Sequence, residues 1–299
     1  MAVQREQPAL MSPKKNRKRR RWALPLFLLL AALFAGALVI YDRLGEDPDQ
    51  RAIRLERAQR FATASLGMAL PGSPDFSSLS SRLEAHGVKL GSPVFVRIFK
   101  RDFELELWMQ RDGRFHKFAT YPICRWSGKL GPKMAQGDHQ APEGFYTVDQ
   151  AALNPNSRWH RSFNLGYPNS FDRSYGRTGS LLMVHGGCSS VGCFAMTNPG
   201  IDELWQLTTA ALGNGQKRFQ VQVFPFRMSE DNLNERSSSP YAQFWRNLKA
   251  GYDVFEAENL PPQVSVCSKQ YVFGPPGAVS DGSAPISINC AKDSTAKKI

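Results

Sequence analysis

From Ser92 onward the chain takes a period of two, with two sets of residues alternating along it. Val94, Val96 and Ile98 alternate with Phe95, Arg97 and Phe99, and Phe103, Leu105 and Leu107 with Glu104, Glu106 and Trp108. Alternation of this kind sends successive side chains to opposite faces of a pleated strand. Gln110 to Gly113 reads as a turn and Phe115 to Ile123 as a third strand, so the chain opens its main domain with an antiparallel meander. Pro142-Glu143-Gly144 turns into another strand, Phe145 to Val148. The unbroken apolar run Leu181 to Val184 predicts a buried strand that ends at His185, and Phe219 to Phe224 returns to alternation. Ser157 to Tyr175 is polar and aromatic without a period, which predicts a long loop near the site.

Helical spacing takes over elsewhere. Arg51 to Leu66 and Phe76 to His86 carry it before the strands, with Phe76, Leu79 and Leu83 on one face. Asn198 is a suitable N-cap, Pro199 suits the first helical position, and Ile201, Leu204, Trp205, Thr208 and Leu212 share a stripe that Gly213 or Gly215 would end. Tyr241 to Glu258 is a further amphipathic helix, followed by a strand at Val264 to Phe273. Beyond Gly274 the chain is rich in Pro, Gly and Ser and predicts a poorly ordered tail. The fold class is therefore mainly β with a few α-helices. The segments are 42–91 as a helical linker, 92–228 as the catalytic domain, 229–273 as a helix and strand packing on it, and 274–299 as the tail.

The first forty residues have another pattern. Lys14, Lys15, Arg17, Lys18, Arg19, Arg20 and Arg21 form a basic cluster before an apolar run from Trp22 to Tyr41. Twenty residues of helix span about 30 Å, the thickness of a bilayer's hydrocarbon core. Residues 1–21 are thus expected in the cytoplasm and 22–41 as an inner-membrane anchor, with the remainder in the periplasm. Ala35-Gly36-Ala37 has the form of a cleavage site, so a removed signal peptide is the competing reading, although the apolar run continues past it. This leader holds a net +7 of the formal +12, which leaves +5 for the rest. The charge then reflects topology, and nucleic acid is not an expected partner.

Chemistry concentrates in Met183 to Asn198, which holds His185, Gly186, Gly187, Cys188, Ser189, Ser190, Gly192 and Cys193. The glycines let the backbone turn sharply and point to an exposed turn around Cys193. A thiol needs a nearby base to act as a nucleophile, and His185 at the end of its strand can supply one. Five cysteines are an odd number, leaving one free. Cys267 with Cys290, and Cys124 with Cys188, are candidate disulfides in an exported chain, and the sequence does not decide the pairing. A zinc site made of His185, Cys188 and Cys193 with Cys124 or His160 competes for the same residues, but its spacing lacks paired Cys-x2-Cys or His-x3-His knuckles. Neither metal nor organic cofactor is expected.

At these residues the sequence resembles the YkuD-type L,D-transpeptidases, through His185-Gly186 and Ser190-Val191-Gly192-Cys193, and most of all their YafK-like branch, in which Gly-Cys-Phe-Ala-Met follows. The resemblance extends through Tyr121-Pro-Ile-Cys-Arg-Trp-Ser-Gly, Pro142-Glu-Gly-Phe-Tyr and Ser162-Phe-Asn-Leu-Gly-Tyr-Pro-Asn. It implies a β-sandwich or barrel-like catalytic domain acting on peptidoglycan stem peptides. By the same resemblance Cys193 attacks the carbonyl on the L-centre of diaminopimelate, with His185 as base. Backbone donors around Gly192 and Cys193 hold the oxyanion, worth about 3 kcal/mol; Ser190 is counted with these catalytic residues, and Gly186 and Gly187 with those that bind substrate. The wider family carries His before Gly-Cys and Arg two residues after Cys; here Val191 and Ala195 stand there. That Arg is credited with holding the substrate carboxylate. Its absence, shared by a branch associated with hydrolytic release of a lipoprotein from peptidoglycan, makes hydrolysis the specific alternative to transpeptidation. A wall-binding module without turnover is the other. Arg158, Arg161, Arg173 and Arg177 crowd the segment before the motif, and Arg158 and Arg173 are the candidates to bind substrate carboxylate.

Overall fold

The alternating stretch from Val94 becomes the middle of a nine-stranded sheet in the computed structural model of the chain, which describes residues 25–34, 47–276 and 286–290. The strands are β1 (Val94–Phe99), β2 (Glu104–Arg111), β3 (Arg114–Trp126), β4 (Gly144–Asp149), β5 (Leu153–Ser157), β6 (His160–Asn164), β7 (Met183–His185), β8 (Phe194–Met196) and β9 (Arg218–Phe224). Their order is β4-β9-β1-β2-β3-β8-β7-β6-β5. The edge strands β4 and β5 are consecutive in the chain, joined by one 3-10 turn (Gln150–Ala152), so the two edges meet and the sheet is rolled into a nearly closed barrel. β3 makes this possible. Its first part pairs with β2 and its last part with β8, with register breaks at Leu107/Trp108 and Ile123/Arg125 where the sheet bends.

Three helices follow their sequence patterns closely: α1 (Pro48–Ser65), α2 (Leu79–Ala85, after a 3-10 turn at Phe76–Ser78) and α4 (Asn198–Gly213), with the short α3 (Ser170–Ser174) between the last two. α5 (Glu230–Glu235) and α6 (Ala242–Glu258) complete the set. Every residue of β1 is buried, because both its faces are covered. Val94, Val96 and Ile98 join the main core with Leu204, Leu207 and Ala211 of α4. On the other face Phe95 meets Phe255 of α6, with ring centroids 4.5 Å apart. There the buried Arg97 guanidinium lies 4.1 Å from the Tyr252 ring and pairs with Glu256. Packing on both faces explains why alternation continues although β1 has no solvent side.

From Ala52 onward the segment expected as a linker packs on the domain. Arg57 of α1 lies 4.3 Å from the Trp126 ring and donates to Gly128 O, and Arg82 of α2 makes a two-pronged pair with Glu203, which also accepts from Tyr121. Within the apolar leader, residues 25–34 are helical with Leu26, Phe27, Leu29, Leu30 and Phe34 exposed. The other positions of the expected 22–41 anchor, and the basic cluster before it, lie outside the described residues. No helix among the described residues is long and apolar enough to cross a membrane.

Three local expectations are corrected. Ser157 to Tyr175 is not a long loop: it contains the turn of the β5–β6 hairpin, β6 itself and α3, whose capping box pairs Asn169 with Asp172. Polar and aromatic residues hid these short elements. The single strand at Val264 to Phe273 is a hairpin, β10 (Pro262–Cys267) and β11 (Gln270–Pro276). It turns at Ser268 and Lys269, both left-handed, as the twist of a two-residue hairpin demands. Order also continues past Gly274: β12 (Ser287–Ile288) pairs with β10, and Cys290 is bonded to Cys267. The rest of the expected tail, 277–285 and 291–299, lies outside the described residues.

Candidate active site

β7 and β8 run parallel and side by side, with Val184 opposite Phe194 and His185 opposite Ala195. Continuing that register sets Cys193 beside Met183, and the Met183 N–H reaches Cys193 Sγ at 3.4 Å. Residues opposite one another project to the same face, so Cys193 and His185 share a face and stand diagonally across the two strands, a spacing that long side chains span. The connecting residues 186–193 make the link by adopting left-handed backbone at Gly187, Cys188 and Gly192 (φ +83°, +50° and +98°).

Cys193 is the free cysteine among the described residues and is buried, 9% exposed, which corrects the expectation of an exposed turn. The glycines serve to fold the loop inward: at Gly192 a side chain would meet Leu182 at 3.3 Å. The thiol faces the Leu181 carbonyl at 3.6 Å. Burial pushes its pKa up, opposed by the Met183 N–H and the charge of Lys133. His185 is also buried, and burial holds it below the usual imidazole range, opposed by the Gly186 carbonyl. The resting pair is therefore neutral thiol and neutral imidazole. His185 Nδ1 lies 2.6 Å from Gly186 O, an atom that only accepts, so Nδ1 carries the ring proton and Nε2 holds the lone pair. That is the tautomer of a base.

The remaining motif residues hold the loop. Ser190 Oγ donates to Cys193 O at 2.6 Å, and Gly192 N–H donates to Ser127 Oγ, so this N–H must exchange a partner to serve an oxyanion. Gly187 N–H donates to Asn198 Oδ1 at 2.9 Å. Asn198 is thus not the N-cap of α4. Thr197 is, its hydroxyl accepting from Gly200 N–H, and Asn198 is released to brace the catalytic loop. Gly186 leaves room for this contact, since a side chain there would meet Asn198 Oδ1 at 2.6 Å. Cys188 is bonded to Cys124 on β3, which ties the loop's crest to the barrel. The same bond takes Cys188 from the competing zinc set, and Cys124 with it where Cys124 is the fourth ligand. Among the described residues no cluster of His, Cys, Asp and Glu is placed to hold a metal.

The arginines separate. Arg173 on α3 turns to Pro168 O and Ser170 Oγ, and Arg177 is buried against Asp172 at 2.9 Å. Arg161 is paired with Asp202, which also meets His160. Arg158 lies at the hairpin tip beside Trp159, whose ring centroid is 6.1 Å from that of His185. Sequence reasoning missed the part of Trp159, Asn198, Ser127 and Lys133, which reach the site from the β5–β6 hairpin, the start of α4 and the stretch between β3 and β4.

Residues 96–247 match the family described as YkuD, L,D-transpeptidase catalytic domain. The chain belongs to the YkuD L,D-transpeptidase family. A relative in Escherichia coli K12 named "Putative L,D-transpeptidase YafK" is 46% identical over 187 residues, 62% of this chain and 76% of the relative. Among solved structures, the helical cell shape determining protein Pgp2 of Campylobacter jejuni is 21% identical, covering 60% of this chain and 67% of that one, with a TM-score of 0.36. Bd1075 of Bdellovibrio bacteriovorus is 20% identical, covering 55% and 60%, with a TM-score of 0.33. At these scores the superpositions carry no weight. The family assignment rests on the catalytic-domain match, whose residues 96–247 include the β7–β8 unit, and on the relative in E. coli.

Proposed function

We propose that this chain is a cysteine acyltransferase of peptidoglycan stem peptides. The carrying observation is the parallel register that sets a free, buried Cys193 and a correctly tautomeric His185 on one face of two adjoining strands. His185 Nε2 takes the Cys193 proton as sulfur bonds to the carbonyl carbon on the L-centre of diaminopimelate. Donors around Gly192 and Cys193 bear the oxyanion. The tetrahedral adduct collapses with cleavage of the C–N bond, and the amine leaves with the proton from His185, giving a thioester. An incoming amine restores an amide and makes a cross-link, whereas water gives a carboxylate.

A second reading, net hydrolysis, is supported by Ala195. It is the cross-strand partner of His185, so only a methyl group stands where the wider family places the Arg credited with holding the substrate carboxylate in position for an incoming amine. Water needs no such placement, whereas misplacing an amine by about 1 Å can cost on the order of 100-fold. A periplasmic position on an inner-membrane anchor is part of the proposal. The two disulfides support it, since such bonds persist in oxidising compartments.

The test is to incubate the protein with tetrapeptide muropeptides and with lipoprotein-linked peptidoglycan, and to follow intact protein and products by mass spectrometry. Acylated Cys193 is expected. New L,D cross-links as the main product would rule out the hydrolytic reading, and released lipoprotein fragment or tripeptide would support it. No acyl-enzyme and no product from either substrate would overturn the enzymatic proposal in favour of a binding module.

A further inference from the structure

Arg158 and Trp159 are the two turn residues of the β5–β6 hairpin, where Ser157 pairs directly with His160. The turn is built tightly: Trp159 N–H donates to Ser157 Oγ at 3.2 Å, and His160 takes a left-handed φ of +69°. Two contacts fix where it points. At the hairpin's root Ser162 pairs with His185 across β6–β7, and at its shoulder His160 and Arg161 both reach Asp202 of α4, at 2.8 and 2.9 Å. The tip therefore hangs over the catalytic loop. The indole leans on Gly187, where a side chain would meet Trp159 at 3.3 Å, and its plane is tilted only 30° from that of His185.

Trp159 is nonetheless 37% exposed, although its neighbour His185 is buried. Its open side is bordered by Arg158, whose guanidinium lies 5.2 Å from the ring. Among the described residues Arg158 has no acidic partner, whereas Arg161 and Arg177 are paired and Arg173 is turned to local oxygens. An open aromatic face next to an unpaired guanidinium suits a carboxylate carried on an aliphatic stem.

We propose that the Arg158–Trp159 tip is a substrate-positioning subsite of the acyl-transfer centre. Arg158 binds a free carboxylate of the stem peptide, and Trp159 packs on the aliphatic chain that carries it. This rests on the proposed function and names the group the site reads. Of the peptide's free carboxylates, the two nearest the reacting carbonyl supply that chemistry, the C-terminus and the diaminopimelate side-chain carboxylate, and singly amidated peptides separate them.

The experiment measures binding of the stem tetrapeptide to the full chain carrying Cys193→Ala, which cannot turn over. Adding Arg158→Gln should weaken binding about tenfold, and Arg158→Lys should recover part of it. On the peptide amidated at the recognised carboxylate the difference should vanish, while the peptide amidated at the other should behave like the parent. Adding Trp159→Ala should weaken all three peptides alike. Equal effects of Arg158→Gln on every peptide, no effect, or no measurable binding of the parent peptide would overturn the inference. Turnover by the chain with Cys193 intact is read separately and tests only the proposed reaction.

Discussion

Removing the Cys124–Cys188 bond should cost more stability than removing Cys267–Cys290, and only the first loss should reach catalysis. The bonds close sequence separations of 64 and 23 residues. In the chain-entropy treatment these restrain the unfolded state by about 4.3 and about 3.4 kcal/mol, a difference of about 1 kcal/mol. Against a total of about 5–15 kcal/mol for a folded domain, either is a large share. Cys124 is completely buried, so its replacement adds a packing loss to the first figure. Urea unfolding of Cys124→Ala/Cys188→Ala and of Cys267→Ala/Cys290→Ala, followed by tryptophan fluorescence at constant m, gives both values. Acylation of Cys193 should slow in the first variant even in the absence of urea, because Cys188 is the crest of the loop between His185 and Cys193. A larger destabilisation from the Cys267–Cys290 pair, or a loss under about 1 kcal/mol for the Cys124–Cys188 pair, would refute this reasoning.

Four further outcomes follow from the site. Cys193→Ala should abolish acyl-enzyme formation, whereas Cys188→Ala should leave it slowed but measurable; equal loss in both would return attention to a role for Cys188 in the chemistry. With the His185 pKa lowered and the Cys193 pKa raised, the base stays unprotonated as pH falls through about 6.5, and the thiol stays protonated as pH rises through about 8.5. Accordingly kcat/KM should hold level across that window and fall only below it on the acid side, while iodoacetamide labelling of Cys193 keeps rising above it; an acid limb centred above 6.5 would contradict the buried neutral pair. Asn198→Ala should cost about 1 kcal/mol of stability and a larger factor in kcat, and Asn198→Asp, which keeps the acceptor, should restore most of both. A reporter active only outside the cytoplasm, fused after Ile299, should be active, and inactivity would overturn the periplasmic assignment.

The strands of the meander were legible because alternation survives burial on both faces: β1 is covered by α4 and α6, yet its two sets of residues still sort to two sides. That Cys193 and His185 lie close together was legible because both sit within one short segment. What was hidden depended on register. Nothing local marks Trp159 as a neighbour of His185; that follows from Ser162 pairing with His185 two strand partners away. Asn198 and Thr197 are both good caps, and the choice between them was made by Gly187 needing an acceptor. The glycines correctly signalled unusual backbone, but that backbone buries Cys193 instead of exposing it. Ser127 and Lys133 lie in the irregular stretch between β3 and β4, where no periodicity was available to place them.

Parallel neighbours ordinarily need a crossover of about a dozen residues or more, most often a helix. Here β7 reaches β8 through residues 186–193 alone, and that same short return carries the reacting groups at its two ends. The chemistry and the sheet's continuity are therefore one piece of chain. Most of that return is anchored along its length: Gly187 N–H is held by Asn198, Cys188 is bonded to Cys124, and Ser190 and Gly192 are hydrogen-bonded to Cys193 O and Ser127 Oγ. The hairpin above it and the long excursion between β3 and β4 touch this return without sharing its register, so in this chain they can change in length or composition without moving His185 against Cys193.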